Sequence, residues 1–360
     1  MGIYSLYFPH MMPSKKKQII VSGIQPTGPL HIGNYAGAVQ NWLALQNDPS
    51  LDCYFFIADY HSITENYEPE EKRAQIMDLA LDLLACGIDP QKSTFFVQSD
   101  VAEHTELCWV FNTVTPISFL ERMTQFKDKA SRQEKNVNMG LFDYPVLQSA
   151  DILLYKGELV PVGVDQVQHV ELTRDIARFF NNKFGAYFPE TKPKLTNAPK
   201  LLSLTDPLKK MSKSLGEKSY IALTDSPEVI ETKLKRAVTE TTGVLPPKMT
   251  MEKFTEWNVT QPEEIRRGYA GVWNLFDMLH LVGASDEVER ITAAQPIKYG
   301  ELKTLVAKRL GEHFAEFRKR REVLAKNPTE VRAMLDQGAE KARAVASKTM
   351  EEVRKIIGVR

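Results

Sequence analysis

The stretch Ser22-Gly23-Ile24-Gln25-Pro26-Thr27-Gly28-Pro29-Leu30-His31-Ile32-Gly33-Asn34-Tyr35 decides the fold. Ahead of it, Gln18-Ile19-Ile20-Val21 is short, apolar and β-branched, and reads as a buried strand. Behind it, Tyr35, Val39, Trp42 and Leu43 fall at helical spacing on a segment reaching Gln46. The glycines and prolines between mark turns. Strand, turn and helix start, in that order, is where a parallel α/β sheet binds a nucleotide. The helix start offers free N–H groups and a positive dipole end to phosphate. Gly33, without a Cβ, admits close approach. Neither Gly-x-Gly-x-x-Gly nor Gly-x4-Gly-Lys-Ser/Thr is present, so His31 is the polar group at hand. Taken alone, the stretch is equally a plain strand-to-helix corner carrying a surface histidine.

Further strands are expected at Cys53–Ala58, Ser93–Gln98 and Leu159–Gly163, with a last short one at Lys200–Leu204. An amphipathic helix spans Glu70–Cys86 and closes at Gly87, and a helical pattern runs from Glu103 to Ala130. This alternation predicts an α/β fold with a doubly wound parallel sheet. Functional groups should then gather at the strand ends Ser22, Asp59 and Gln98. In Tyr144–Tyr155, Pro145 suits a first helical turn, and Tyr144, Gln148 and Asp151 share one face. Asp151 lies in an apolar run, where a carboxylate needs a partner: a salt bridge within the fold, or a ligand N–H or O–H. Asp165 is expected to cap the next helix, which carries Gln166 and His169. Asp206-Pro207-Leu208-Lys209-Lys210-Met211-Ser212-Lys213-Ser214-Leu215-Gly216 is a polar loop suited to closing on a polyphosphate, or is solvated surface. After Asp225 the strands stop. A helix starts at Ser226-Pro227, and helical patterns follow near 263–281, 302–324, 328–335 and 339–357.

The 360 residues suffice for two domains, and no apolar run approaches the ~20 residues of a membrane span. Net charge is zero overall, but residues 301–360 hold 15 Lys/Arg against 9 Asp/Glu, or +6. Such a bias fits a polyanionic partner or a solvated helix face. Three widely spaced cysteines suggest neither a disulfide framework nor a zinc site, and fit a reducing cytosol. The first residues lack the apolar core of a signal peptide and read as an extension.

Two motifs at a distance name a family. Pro29-Leu30-His31-Ile32-Gly33-Asn34 resembles the HIGH signature of class I aminoacyl-tRNA synthetases, and Lys210-Met211-Ser212-Lys213-Ser214 matches their KMSKS signature. Glu121–Lys127, Ala150–Tyr155, Val160–His169 and Gly338–Ala342 are similar to the bacterial tryptophanyl-tRNA synthetase family. Asn34 replaces the second histidine of the signature, as is usual in the tryptophan and tyrosine branch. Val164 stands where an acidic residue is common, and Gln148 where some members have Met.

The resemblance implies an N-terminal extension (1–18), a Rossmann-like catalytic domain (19–224) and an α-helical tRNA anticodon-binding domain (225–360). It implies ATP-dependent attachment of L-tryptophan to tRNA(Trp) through an adenylate by a cytoplasmic homodimer. His31, Asn34, Lys210 and Lys213 are the implied catalytic groups. ATP is expected at Gln25, Pro26, Thr27, Gly33 and Asn34, at Gly163, Val164, Asp165 and Leu201, and at Lys210, Met211, Ser212, Lys213 and Ser214, with Lys129 nearby. Tryptophan is expected at Asp151, Tyr144, Gln148, Gln166, Ser22, Gly23 and His61. Mg2+ would travel with the ATP phosphates, without protein side-chain ligands. Three rivals remain: the tyrosine enzyme, whose pocket Tyr144-x3-Gln148-x2-Asp151 also resembles; a small-molecule nucleotidylyltransferase; and an inactive RNA-binding paralogue.

Overall fold

A computed structural model of the chain describes residues 16–124, 137–196, 199–245, 256, 260–294 and 296–359. Five strands, β1 (Gln18–Ile24), β2 (Leu51–Ile57), β3 (Thr94–Val97), β4 (Leu159–Val162) and β5 (Lys192–Leu195), lie in the order β3-β2-β1-β4-β5, all parallel. Successive side chains point to opposite faces. Ile20, Phe55 and Phe95 therefore join one apolar cluster, while Val21, Phe56 and Phe96 join another. Both faces are covered, which is why the central strands read as continuous apolar runs. β1 pairs with β2 along its whole length but with β4 only at Ile20↔Leu159. The C-terminal ends of β1 and β4 are left apart, and the crevice between them is the switch point of the sheet.

Helix α1 (32–45) opens as Ile32–Asn34, passes through a π-helical segment Tyr35–Val39 and ends as Gln40–Leu45. It starts before the expected Tyr35 because its cap is His31, a residue outside the usual capping set. α2 (Pro69–Cys86) ends on Gly87, whose φ of 109° makes the left-handed cap. α3 (Glu103–Asn112), α4 (Met139–Leu153) and α5 (Val167–Phe184) cover the Val21 face.

Three local expectations are corrected. α4 begins at Met139, capped by Asn138, whose side-chain oxygen accepts from Leu141 N at 3.0 Å; Pro145 therefore lies inside the helix. A 3-10 turn, Val164–Gln166, precedes α5, so Gln166 rather than Asp165 takes the cap position, and without a side-chain bond. Residues 200–204 are no strand. They form one arm of a hairpin, with a bridge Leu202↔Lys210 and a bond from Met211 N to Leu201 O at 3.0 Å. The fifth strand is β5, Lys-Pro-Lys-Leu, mostly exposed and without the apolar run that betrays a strand. An edge strand tolerates Pro193.

From residue 227 on, the regular elements among the described residues are helices: α6 (Pro227–Lys235), α7 (Glu263–Leu281), α8 (Ser285–Ala293), α9 (Tyr299–His313), α10 (Ala315–Ala325) and α11 (Pro328–Ile357). Ser226 caps α6 with Pro227 in its first turn, as expected. The expected helix 302–324 breaks at Phe314, and the expected pair 328–335 and 339–357 is one helix. Gly338 does not end it. A Cβ there would fall onto the Phe95 carbonyl oxygen, so glycine serves the close packing of α11 on β3. The core is continuous across residue 225: one cluster holds Ile20, Trp42 and Phe55 together with Leu275, Phe276 and Leu310. Among the described residues no helix is long and apolar enough to cross a membrane. Cys53, Cys86 and Cys108 are free thiols, each raised in pKa by burial.

Candidate active site

The loop after β1 is built around His31, which is buried rather than exposed. Its Nδ1 accepts from Asn34 N at 3.2 Å, and His31 N donates to Asn34 Oδ1 at 3.3 Å, a reciprocal capping box. Burial, then the charges of Lys213 and Lys210, lowers the imidazole to about 3. His31 is thus neutral at physiological pH. With Nδ1 accepting, the proton sits on Nε2, leaving an uncharged donor at the helix start. Residues 220–223 zip onto this corner through Ile32 N to Ile221 O (3.0 Å) and Leu223 N to Leu30 O (2.9 Å).

The hairpin 201–211 carries the second motif to the same place. Asn274 of α7 pairs with both backbone groups of Leu202, accepting from its N–H at 2.8 Å and donating to its carbonyl at 2.9 Å. Met211 is buried, and its Cβ would lie 3.6 Å from a Cβ on Gly33. Ser212 caps the turn Lys213–Leu215 by accepting from Ser214 N at 3.4 Å. Lys213 Nζ donates to Gly28 O at 3.1 Å. Burial, opposed by Asp82 and reinforced by Lys72, lowers its ammonium to about 8. Lys210 is exposed, and Lys209 pairs with Asp206 at 3.1 Å. The two motifs, about 180 residues apart in the chain, are in contact.

Beside this corner, between the C-terminal ends of β1 and β2, α4 and the start of α5, lies a cavity of about 280 Å³ lined by Gly23, Gln25, Phe56, Ala58, His61, Tyr144, Gln148, Asp151, Gln166 and His169. Asp151 is its buried acid. Oδ1 accepts from Gln98 Nε2 and His104 Nδ1, and Oδ2 from His61 Nε2, each at 2.7 Å. Burial alone would raise the carboxyl; His61 and His104 outweigh it and bring it down to about 2. An ionised carboxylate only accepts, so both imidazoles donate to it, and His104 Nε2 takes the Tyr155 hydroxyl at 2.7 Å. Of about four lone-pair sites three are used. One on Oδ2 is left for a ligand donor.

A family model for class I tRNA synthetases (W and Y) matches residues 13–315. The chain belongs to the class I tRNA synthetases of the W and Y branch. It is 41% identical over 347 residues to the Tryptophan--tRNA ligase of Wolinella succinogenes, covering 95% of this chain and 99% of that one. Its fold is similar to a crystal structure of tryptophanyl-tRNA synthetase from Campylobacter jejuni complexed with ADP and tryptophan (TM-score 0.78, 32% identity, 95% and 100% of the two chains). It is similar also to the Mycoplasma pneumoniae enzyme (TM-score 0.78, 30% identity, 96% and 99%). The resemblance carried by the two signatures and the Ala150–Tyr155 run is therefore borne out.

The synthetase brings together six of the seven residues expected around the amino acid. Ser22 stays half-buried in β1, opposite Phe55, and does not line the cavity. Gln25, expected at ATP, lines the cavity. Gly23 leaves room for Phe56, whose ring would lie 2.5 Å from an added Cβ. Asp59 does not line the cavity; its Oδ1 ties Tyr60 N (3.1 Å) to Ser99 N (3.0 Å). Gly163 opens the turn holding Asp165, with Val164 largely exposed. Lys129 lies outside the described residues. Sequence reasoning missed Phe56, Ala58, His104 and Lys72, and named His169 without a place in the pocket. The signals for His104 and Lys72 were a lone histidine on an apolar helix face and a lysine in a first helical turn, where the dipole disfavours it.

Proposed function

We propose that this synthetase attaches L-tryptophan to tRNA(Trp) in two steps. In the first, a tryptophan carboxylate oxygen attacks the α-phosphorus of ATP. A new P–O bond forms, the bond to the β,γ-phosphates breaks, and pyrophosphate leaves with the electron pair. In the second, a terminal ribose hydroxyl of the tRNA attacks the acyl carbon and AMP departs. Such chemistry needs positioning and charge stabilisation more than covalent help. The single observation that carries the reading is the cavity built on Asp151, held ionised beside a corner of cationic and neutral donors. The free lone pair on Asp151 suits an indole N–H. Tyr144, Gln148 and Gln166 surround the rest of the amino acid. His31 Nε2–H, Asn34, Lys210 and Lys213 meet the phosphates, and Gly33, Gly163 and Asp165 the adenosine.

Among the described residues no group of three His, Cys, Asp or Glu is placed to hold a metal ion. The charged side chains near the corner are lysines, which fit phosphate oxygens rather than a cation, apart from Asp82, whose two oxygens are taken by Leu30 N and Arg321. Mg2+ carried by ATP would add charge neutralisation there. We place the catalytic function in residues 19–224 and anticodon contact in 225–360. A homodimer is proposed on the exposed apolar side chains Trp109 (72% exposed), Ile117 (66%) and Met139 (74%). A cytoplasmic location is proposed on the three free thiols.

The test is pyrophosphate exchange into ATP with each amino acid in turn, followed by charging of tRNA(Trp). Exchange stimulated by tryptophan and not by tyrosine is the expected result. Stimulation by tyrosine would move the enzyme to the other half of its branch, and exchange with neither would sink the proposal.

A further inference from the structure

Helix α2 takes no part in the cavity or in either signature motif, yet two of its charged side chains are buried: Lys72, 8% exposed, and Asp82, 2% exposed. Both end on the backbone of the first signature loop. Lys72 Nζ donates to Pro26 O at 3.1 Å, and Asp82 Oδ2 accepts from Leu30 N at 3.3 Å. The Lys213 contact with Gly28 O lies midway between these two points. The loop 26–30 is thus held from behind at both ends by one rigid helix, while its middle carbonyl receives the lysine of the second motif. Asp82 also faces outward: its Oδ1 accepts from Arg321 Nε at 2.6 Å, and Arg321 NH2 reaches Asp78 Oδ1 at 2.9 Å. Arg321 sits on α10, in the helical half of the chain.

A first-turn lysine is a poor choice for helix stability, since it meets the positive end of the dipole. Its burial there calls for a task elsewhere. The loop it holds is fixed at its far end by Leu223 N on Leu30 O, but in its middle Thr27 and Pro29 are exposed and Gly28 has φ of 104°. We propose that Lys72 and Asp82 are positioning residues for the ATP step: they fix the Pro26–Leu30 loop from behind, and through Asp82 this fixing is tied to Arg321 of the C-terminal helices. Neither residue touches the substrates. They act through the Pro26 carbonyl and the Leu30 N–H. Burial disfavours the charge on both groups, consistent with placement that serves geometry rather than stability.

This inference rests on the proposed use of ATP, and the wild-type exchange assay tests that reading first. With tryptophan-dependent exchange established, Lys72→Met, Lys72→Arg, Asp82→Asn and Arg321→Gln are compared in the full-length enzyme. Lys72→Met should raise KM for ATP about ten- to a hundredfold, the scale of one lost hydrogen bond to a charged group, with the Kd for tryptophan unchanged. Lys72→Arg, which keeps a donor, should restore much of the loss. Asp82→Asn and Arg321→Gln should each raise KM for ATP, and the double variant should be no worse than the more affected single one. An unchanged KM for ATP in Lys72→Met overturns the loop-holding role. Equal losses toward ATP and tryptophan, or a lower melting temperature with no rescue by Lys72→Arg, assign the pair to general stability and overturn it as well. Additive effects of the Asp82 and Arg321 changes overturn the tie to α10.

Discussion

Asp151 shows how one side chain is tuned by those around it. Three donors hold it in the acceptor-only state and leave one lone pair. Asp151→Asn places an amide against two imidazole donors. It should raise KM for tryptophan by tenfold or more, the scale of a charge-assisted hydrogen bond of ~1.5–3 kcal/mol. Its discrimination against phenylalanine, which has no donor to offer, should fall in parallel when both amino acids are compared in exchange. Because the folded carboxyl lies near 2 against 3.8 in the unfolded chain, its contribution to stability is complete above about pH 4 and is lost as pH falls through 2. Lys213 behaves oppositely. Its folded ammonium titrates near 8 and its unfolded one at 10.5, so between those values the unfolded chain holds the extra proton and stability from this group rises with pH. Function should run against that gain. KM for ATP should climb as pH rises through 8 while tryptophan affinity stays flat, and Lys213→Ala should slow adenylate formation and erase this limb. A pH-independent KM for ATP in the wild type would refute the assignment. His31, already neutral, should add no ionisation to the exchange profile between pH 5 and 8.

The elements differ in how readily they could be read. The three central strands and the glycine-rich corner were legible because buried strands and turns leave a local mark: β-branched runs and clustered Gly and Pro. β5 left none, being an exposed edge. The apolar Leu201-Leu202 gives Lys200–Leu204 the look of a strand, yet this arm pairs with its own return arm and with the side chain of Asn274. That dependence is testable. Asn274→Ala removes two bonds from the part-buried backbone of Leu202 and should cost about 2 kcal/mol in denaturant unfolding, at ~1 kcal/mol, the lower end of the scale, for each group left unpaired. Part of the loss should be local, seen as faster amide exchange across residues 201–211 than across β1 and β2. Uniform acceleration throughout the sheet would refute a local role. The acid network illustrates the other limit of sequence reading. Asp151 was visible as a carboxylate in an apolar run, but Gln98 and His104 come from other parts of the chain, and only the fold brings them to it.

At the scale of the whole molecule, the excess of positive charge after residue 301 has a double use. Arg321, Arg332 and Arg354 pair with Asp82, Asp100 and Glu106 of the sheet half, and Arg343 donates to the Asp100 carbonyl. These cations join the two halves and are poorly placed to meet a polyanion. Binding of tRNA should still weaken linearly in log K against log salt. Arg354→Ala should leave that slope unchanged and cost at most about 1 kcal/mol of stability, as for other partly exposed pairs. A slope reduced by about one unit would mean that Arg354 meets phosphate instead.

The packing of α11 on β3 also guards the sheet against other chains. β3 is an edge of the sheet, and Gly338, Ala339, Ala342 and Ala346 of α11 lie in a stretch more than 200 residues downstream of it. A sheet without α11 carries an open edge beside Phe95 and Phe96, the kind of surface that recruits other strands. Chains cut short before residue 328 should therefore depend on chaperones far more than full-length ones. A helix in the far half of the chain thus acts as a guard for a strand in the near half.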